Sequence, residues 1–360
     1  MCLYPKTIRN KKYQPNKKNS GIVPYPPYTG KDEIGLDKFD MRVTYVQVPC
    51  GQCIECRQQK ARQWQVRLGE EYKNYQYNYF LTLTFSPEGL REILFKHNIE
   101  ECNAAAGYAL RHCLERYRKD HKKSLKHWFI TELGHEGTER IHMHGIIMSN
   151  TALQFKEIER KGDGIMAEWK YWKYGTIFVG DYVNQMSINY MVKYMEKIDT
   201  DHKGFIGQVL CSPGIGKSYL ERAALRGETE YKDYYRLPNG SKVKKPTYYK
   251  KKELTDEERE IKWREFMDTQ RQTMLGITYS QKESSPEDLQ KIQSKYREVN
   301  RELGYGSDDK EWRKKKYNLT RRMLEDQETK KWKELQAKRL EEFKNRYQEA
   351  LEYSKKYKNV

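Results

Sequence analysis

Ile141-His-Met-His-Gly-Ile-Ile-Met148 is the stretch from which this chain can be read. Its apolar run Ile146, Ile147 and Met148, closed by Ser149 and Asn150, predicts a strand. Side chains on a strand repeat every two residues, so His142 and His144 share one face, where two imidazoles can grip one divalent ion. The preceding His127-Trp-Phe-Ile-Thr-Glu-Leu133 reads as a second strand, and the polar Gly134-His-Glu-Gly-Thr-Glu-Arg140 as a hairpin-type connection. If the two strands pair, Glu132 has the parity of the histidines and its carboxylate can join them. Two imidazoles and one carboxylate with open positions suit a catalytic ion better than a closed structural one. Taken alone, a His-x-His pair is equally well explained as an ordinary surface strand.

The balance shifts fifty residues downstream. Asn184-Gln-Met-Ser-Ile-Asn-Tyr-Met-Val-Lys-Tyr-Met-Glu-Lys-Ile198 has helical spacing, with Asn184 or Ser187 available as N-cap. Ile188, Met191, Val192, Met195 and Ile198 make one apolar stripe. Tyr190, Lys193, Tyr194 and Lys197 then fall together on the opposite, wet side. A phenol, with a pKa of about 10, attacks a phosphodiester only if its proton is made easier to lose. An adjacent ammonium or a bound metal does that, and the lysines can also neutralise the charge that builds on a scissile phosphate. The competing account is a plain solvated helix face.

A His-hydrophobe-His strand followed by a Tyr-x-x-x-Tyr-Lys helix resembles the HUH endonucleases, and more narrowly the replication initiators of microviruses, especially the gokushovirus-like single-stranded DNA phages. The matching pieces run in the family's order. Phe80-Leu-Thr-Leu-Thr-Phe-Ser86 is similar to the first motif strand, Glu132 to Gly145 to the metal motif, and Tyr190-Met-Val-Lys-Tyr-Met-Glu-Lys197 to the nucleophile helix. Pro49-Cys-Gly-Gln-Cys-Ile-Glu-Cys-Arg57 and the opening Met1-Cys-Leu-Tyr-Pro5 extend the likeness over roughly residues 1 to 240. The resemblance implies a ferredoxin-like α+β sandwich. It also implies an enzyme that starts rolling-circle replication by nicking one DNA strand and transferring it through a 5′-phosphotyrosine. Glu132, His142 and His144 would hold Mg²⁺ or Mn²⁺, Tyr190 and Tyr194 would be the nucleophiles, and Lys193 and Lys197 would stabilise charge. Single-stranded and origin DNA, a host helicase and polymerase, and the cytoplasm of a bacterial host complete the expectation.

Composition agrees with a polyanionic partner. Of 360 residues 69 are Lys or Arg and 51 Asp or Glu, a net charge of +18, and such cations release counterions when they neutralise phosphates. The 29 tyrosines add platforms on which unpaired bases can stack. An apolar fraction of 37% against the usual ~45–50% means that some of the chain is not packed core. No apolar run reaches membrane-spanning length and the N-terminus lacks the core of a signal peptide, so the expectation is neither spanning nor secreted. Seven cysteines, an odd number, fit a reducing compartment.

Along the chain, residues 1–45 read as a basic extended arm in which Pro24-Tyr-Pro-Pro27 resists helix and strand. Residues 46–76 hold a cysteine cluster and a helix over Arg57 to Lys73. The endonuclease domain is expected over 77–215: a strand at Tyr79 to Phe85 with two covered faces, helix over 88–122, the hairpin, helix or loop over 152–170, a strand at Tyr174 to Val179, and the tyrosine helix. The implied architecture is an antiparallel sheet with packed helices. Pro213-Gly-Ile-Gly-Lys-Ser218 lacks the first glycine of a phosphate loop, where Cys211 stands, so Gly214 and Gly216 read as a turn. Residues 216–254 form a basic connector and 255–360 a charged helical extension, in which Trp332, Leu335, Leu340, Phe343, Tyr347 and Leu351 trace a partial apolar stripe.

Cys50, Cys53 and Cys56 offer three thiolates at knuckle spacing, and Cys2 can close a tetrahedral structural zinc site if the arm folds back. The alternative is a set of free thiols at a helix start. Three other functions compete with the initiator: a relaxase or transposase using the same chemistry, a non-catalytic zinc-knuckle nucleic-acid-binding protein, and a packaging protein. The last two have no use for two tyrosines on one polar face.

Overall fold

The computed structural model describes residues 2–135, 139–227, 230–269, 271–274, 277–280, 285–306 and 337–348. Seven strands form the central sheet: β1 (Tyr77–Thr84), β2 (Lys126–Leu133), β3 (Ile141–Ser149), β4 (Lys156–Lys161), β5 (Gly164–Glu168), β6 (Ile177–Gly180) and β7 (Val209–Cys211). They lie in the order β7-β2-β3-β1-β6-β5-β4, and every neighbouring pair is antiparallel. Helices α1 (Ile54–Glu71), α2 (Cys102–His121) and α3 (Gln185–Glu196) pack on it, so the chain is α+β with an antiparallel sheet, as expected.

The period of two sorts the sheet's faces. Leu81, Leu83, Phe129, Leu133, Met143 and Ile147 are buried with the alanine-rich side of α2. On the other face Trp128, Ile130, Ile146 and Met148 meet Trp64 and Leu68 of α1 and Ile188, Met191, Val192 and Met195 of α3. His142 and His144 belong to this second face by parity. Gly145 sits between them and the core because a Cβ there would lie 2.2 Å from the Trp128 carbonyl oxygen and within the Phe129 ring.

Several boundaries differ from the sequence reading. Residues 152–170 are neither helix nor simple loop: β4 and β5 pair there around Gly162, whose φ is 60°. All of β4 is exposed, and an edge strand that buries neither face shows no apolar alternation. The helix expected over 88–122 is broken into Pro87–Arg91, a π-turn at Glu92–Lys96, and α2. The strand expected from Tyr174 starts at Ile177, with Tyr174 buried ahead of it. Gly214 and Gly216 do make a turn, with φ of 73° and 83°.

The first 45 residues are not extended throughout. Lys6–Arg9 pairs with Tyr45–Val48, Tyr28–Lys31 with Asp37–Phe39, and Leu3 and Tyr4 are buried. Residues beyond 255 are not helical throughout either, because Arg271–Met274 and Ile277–Ser280 form a hairpin between α4 (Asp256–Asp268) and α5 (Pro286–Glu302). Both helices lie against the rest of the chain. Glu260 accepts from Lys12 and Tyr13, and Arg264 donates to Asp40. Arg297 donates to the Leu3 carbonyl, Asn300 accepts from the Ile54 amide, and the Tyr305 hydroxyl accepts from the Asp199 amide. Asn300 and Tyr305 are fully buried. Of the expected C-terminal stripe, Leu340, Phe343 and Tyr347 are exposed, and Trp332, Leu335 and Leu351 lie outside the described residues. No helix among the described residues is long and apolar enough to cross a membrane.

Candidate active site

The hairpin register places Glu132 opposite His142 and Ile130 opposite His144, so the three side chains converge on the face that also receives α3. One carboxylate oxygen, Glu132 Oε2, lies 3.3 Å from His142 Nε2 and 3.1 Å from His144 Nε2. The other, Oε1, accepts from Lys197 Nζ at 2.6 Å. Burial alone would push the Glu132 carboxyl up, but hydrogen bonds from His142, His144 and Lys197 outweigh it and hold the group well below the usual carboxylate range.

The outer nitrogens of the imidazoles are also held. His142 Nδ1 faces the Arg140 carbonyl oxygen at 3.2 Å, and His144 Nδ1 faces Thr82 Oγ1 at 3.0 Å. A carbonyl only accepts, so His142 carries a proton on Nδ1 and its Nε2 lone pair is turned toward a carboxylate. Two acceptors facing each other require a shared proton or cation, which makes this donor set fit a divalent ion. Burial pushes His144 down and so favours the neutral, ligating imidazole.

Helix α3 brings in the phenols. Asn184 is its N-cap and Ser187 completes a capping box, so both residues considered for the start take part. The predicted apolar stripe faces the sheet through Ile188, Met191, Val192 and Met195, which turns Tyr190 and Tyr194 toward the histidines. The Tyr194 ring stacks on His144, with centroids 4.3 Å apart and planes 8° from parallel. Its hydroxyl donates to that of Tyr190 at 2.7 Å. Tyr190 is 53% exposed. Burial, with the neighbouring Tyr190, pushes the Tyr194 phenol well up. Lys197 leaves the helix as its C-cap and pairs with the carboxylate, while Lys193 stands exposed one turn earlier, where its charge is felt by Glu196. Thr82 went unread, although it has the parity that β1 needs to face His144, its partner across the β1–β3 ladder.

The four cysteines of the expected second site do meet. Cys2 returns to the start of α1, with Sγ atoms of Cys53 and Cys2, and of Cys50 and Cys56, each 3.9 Å apart. Four ligands at the zinc–sulfur bond length around one tetrahedral ion would lie roughly 3.8 Å from each other. Backbone N–H groups of Cys50 and Cys53 donate to Cys2 Sγ and Cys50 Sγ. The hydrogen bonds that Cys50 Sγ receives from Cys2, Cys53 and Cys56 pull its thiol far down, so the cluster favours a thiolate. On another side of α1, a cleft of about 570 Å³ is lined by Lys73, Tyr219, Lys232, Tyr234 and Arg236.

A sheet face carrying two imidazoles, a carboxylate and a stacked pair of phenols defines a metal-and-tyrosine centre, and known proteins place it among replication proteins. Residues 78–199 match the family model described as Replication-associated protein ORF2, which spans the sheet strands and helix that build the site. The chain is 27% identical over 237 residues to Replication-associated protein VP4 of Bdellovibrio phage phiMH2K, covering 61% of this chain and 72% of that one. It is 33% identical over 93 residues to Replication-associated protein ORF2 of Spiroplasma virus 4, covering 25% of this chain and 26% of that one. No solved structure matches the chain. The chain is thus a relative of phage replication-associated proteins, as its resemblance to phage replication initiators implied.

Proposed function

We propose that this chain is a metal-dependent, site-specific single-strand DNA endonuclease and strand transferase that starts rolling-circle replication of a small phage genome, on an HUH-type fold. The observation that carries the reading is the stacking of Tyr194 on His144 with Tyr190 hydrogen-bonded beyond it, which joins nucleophile and ligand in one site. Glu132, His142 and His144 would hold Mg²⁺ or Mn²⁺, whose chemistry there is to polarise a scissile phosphate as a Lewis acid. A tyrosine oxygen attacks phosphorus in line and gives up its proton. The bond from phosphorus to the 3′ oxygen breaks, the 5′ phosphate becomes joined to the tyrosine, and the 3′ oxygen leaves as a hydroxyl for a polymerase. The phosphoester energy kept in that link lets the second tyrosine, or a 3′ end, reverse the step and close a circle.

The other residues serve position and charge. Thr82 and the Arg140 carbonyl fix the imidazoles, Lys197 anchors Glu132, and Lys193 faces solvent where a DNA phosphate can reach it. The cleft of Lys73, Lys232 and Arg236 among tyrosines has the mixture of cations and aromatic faces that unpaired strands bind. Work beside a host helicase and polymerase in the bacterial cytoplasm follows from this reading.

The test is incubation of the full chain with single-stranded origin DNA and Mg²⁺ or Mn²⁺, followed by denaturing electrophoresis and peptide mapping. A detergent-stable adduct on Tyr190 or Tyr194 is expected. His142→Ala/His144→Ala should lose the adduct while still binding DNA, since the ligands serve chemistry and the basic surface serves affinity. An adduct on any other residue, or full nicking by that double variant in chelator, would overturn the reading.

A further inference from the structure

A second group of metal-ligating side chains stands outside the centre described above. His135 begins the β2–β3 connection, and Asp199 and His202 lie in the turn that follows α3, so two segments far apart in sequence are brought face to face. One ligand atom from each of the three lies within 4.8 Å of the other two. His135 Nε2 is 3.7 Å from Asp199 Oδ2, and His202 Nδ1 is 2.9 Å from that same oxygen. Asp199 and His202 are buried, at 6% and 3% exposure, which is costly for an aspartate that has no fixed positive partner.

The surroundings are arranged as they are around ligands. Asp201 Oδ2 lies 2.8 Å from His135 Nδ1, and a carboxylate there holds the proton on Nδ1 and turns the Nε2 lone pair toward Asp199. The His202 amide donates to Asp199 Oδ1 at 2.7 Å, which fixes the carboxylate and directs Oδ2 to the imidazoles. The Asp199 amide is itself tied to Tyr305 at 2.8 Å. We propose that His135, Asp199 and His202 form a second metal centre that takes a divalent transition-metal ion. Two imidazoles and one carboxylate favour ions such as Mn²⁺, Co²⁺ or Zn²⁺ over Mg²⁺, which prefers oxygen ligands. The ion would pin the β2–β3 connection to the turn after the tyrosine helix. It would also sit beside the first centre, because His135 Nε2 is 3.9 Å from Glu132 Oε1. The proposal stands on these ligands and does not depend on the nicking reading.

The rival account is an ion-pair network in which protonated His135 and His202 neutralise Asp199 and Asp201. Manganese separates the two, because it binds imidazole and carboxylate but is a poor partner for the thiolates of the cysteine cluster. Equilibrium dialysis of the full chain against Mn²⁺ should count two ions per chain at neutral pH. The count should be one in His142→Ala/His144→Ala and none when His135→Ala is added. His135 is exposed, so its replacement should leave the circular dichroism spectrum unchanged. His135→Ala alone should lower the count from two to one, which keeps the test independent of how well the double variant folds. One ion in the wild-type chain, or a count that His135→Ala does not change, would overturn the proposal in favour of the ion-pair network.

Discussion

Tyr194 gives its phenolic proton to Tyr190 and lies stacked on His144, whereas Tyr190 accepts that proton and is half in solvent, so the two start from unequal positions. An accepted hydrogen bond favours the phenolate, and it is Tyr190 that receives it. Tyr194→Phe should therefore slow adduct formation on a short origin oligonucleotide by about 2–10-fold, the equivalent of one hydrogen bond. Tyr190→Phe should slow it more, and the double variant should form no adduct. The pH profiles should separate too. The Tyr194 proton is held above the ordinary phenol range, so it is lost only at higher pH. The rate of the Tyr190→Phe enzyme should keep climbing with pH after that of Tyr194→Phe has levelled. Initial rates of adduct formation across alkaline pH decide it, and coincident profiles would show that the two phenols are interchangeable.

Elements differ in how openly the sequence declares them. The hairpin and the tyrosine helix were legible because each buries one face, so Glu132, His142 and His144 could be placed by parity and Tyr190 and Tyr194 by helical spacing. The pair β4 and β5 was not, since an all-exposed edge strand has no periodic signal. Nor was the partnership of Lys197 with Glu132, which depends on where α3 ends and not on how it repeats. The return of Cys2 to Cys50, Cys53 and Cys56 was readable as a ligand count but not as a contact. If that cluster holds structural zinc, the purified chain should carry about one zinc, and a chelator should lower its Tm without removing a catalytic Mg²⁺. A zinc-free chain with unchanged Tm would leave four free thiols. Between the N-terminal segment and α4 the tie is Asp40, whose carboxyl Arg42 and Arg264 hold down to about 2. A depressed folded pKa means that its stabilisation is full above the unfolded value near 4 and is lost as pH falls toward 2. Asp40→Asn should cost about 1–3 kcal/mol at neutral pH and remove part of the stability change over that acid window, as read by denaturant titration.

For the whole molecule, the contacts of α5 change what counts as an appendage. A chain ending at Glu253 would uncover Leu3, Tyr4 and the first turn of α1, and would take the Tyr305 hydroxyl away from Asp199. It should melt well below the full chain and lose nicking by unfolding, whereas a chain ending at Gly306 should keep both Tm and activity. Equal melting temperatures for the two truncations would show that α5 only rests on the surface. The same closure has a consequence for biosynthesis. Tyr4 is among the first residues to leave the ribosome, yet its hydroxyl bonds to Arg297, 293 positions later. At a bacterial translation rate of about 5–20 residues per second, the opening cysteine and its apolar neighbours wait roughly 15–60 s for the helix that covers them. The sheet with its histidines and tyrosines emerges well inside that interval, so the last act of folding is to seal the beginning of the chain.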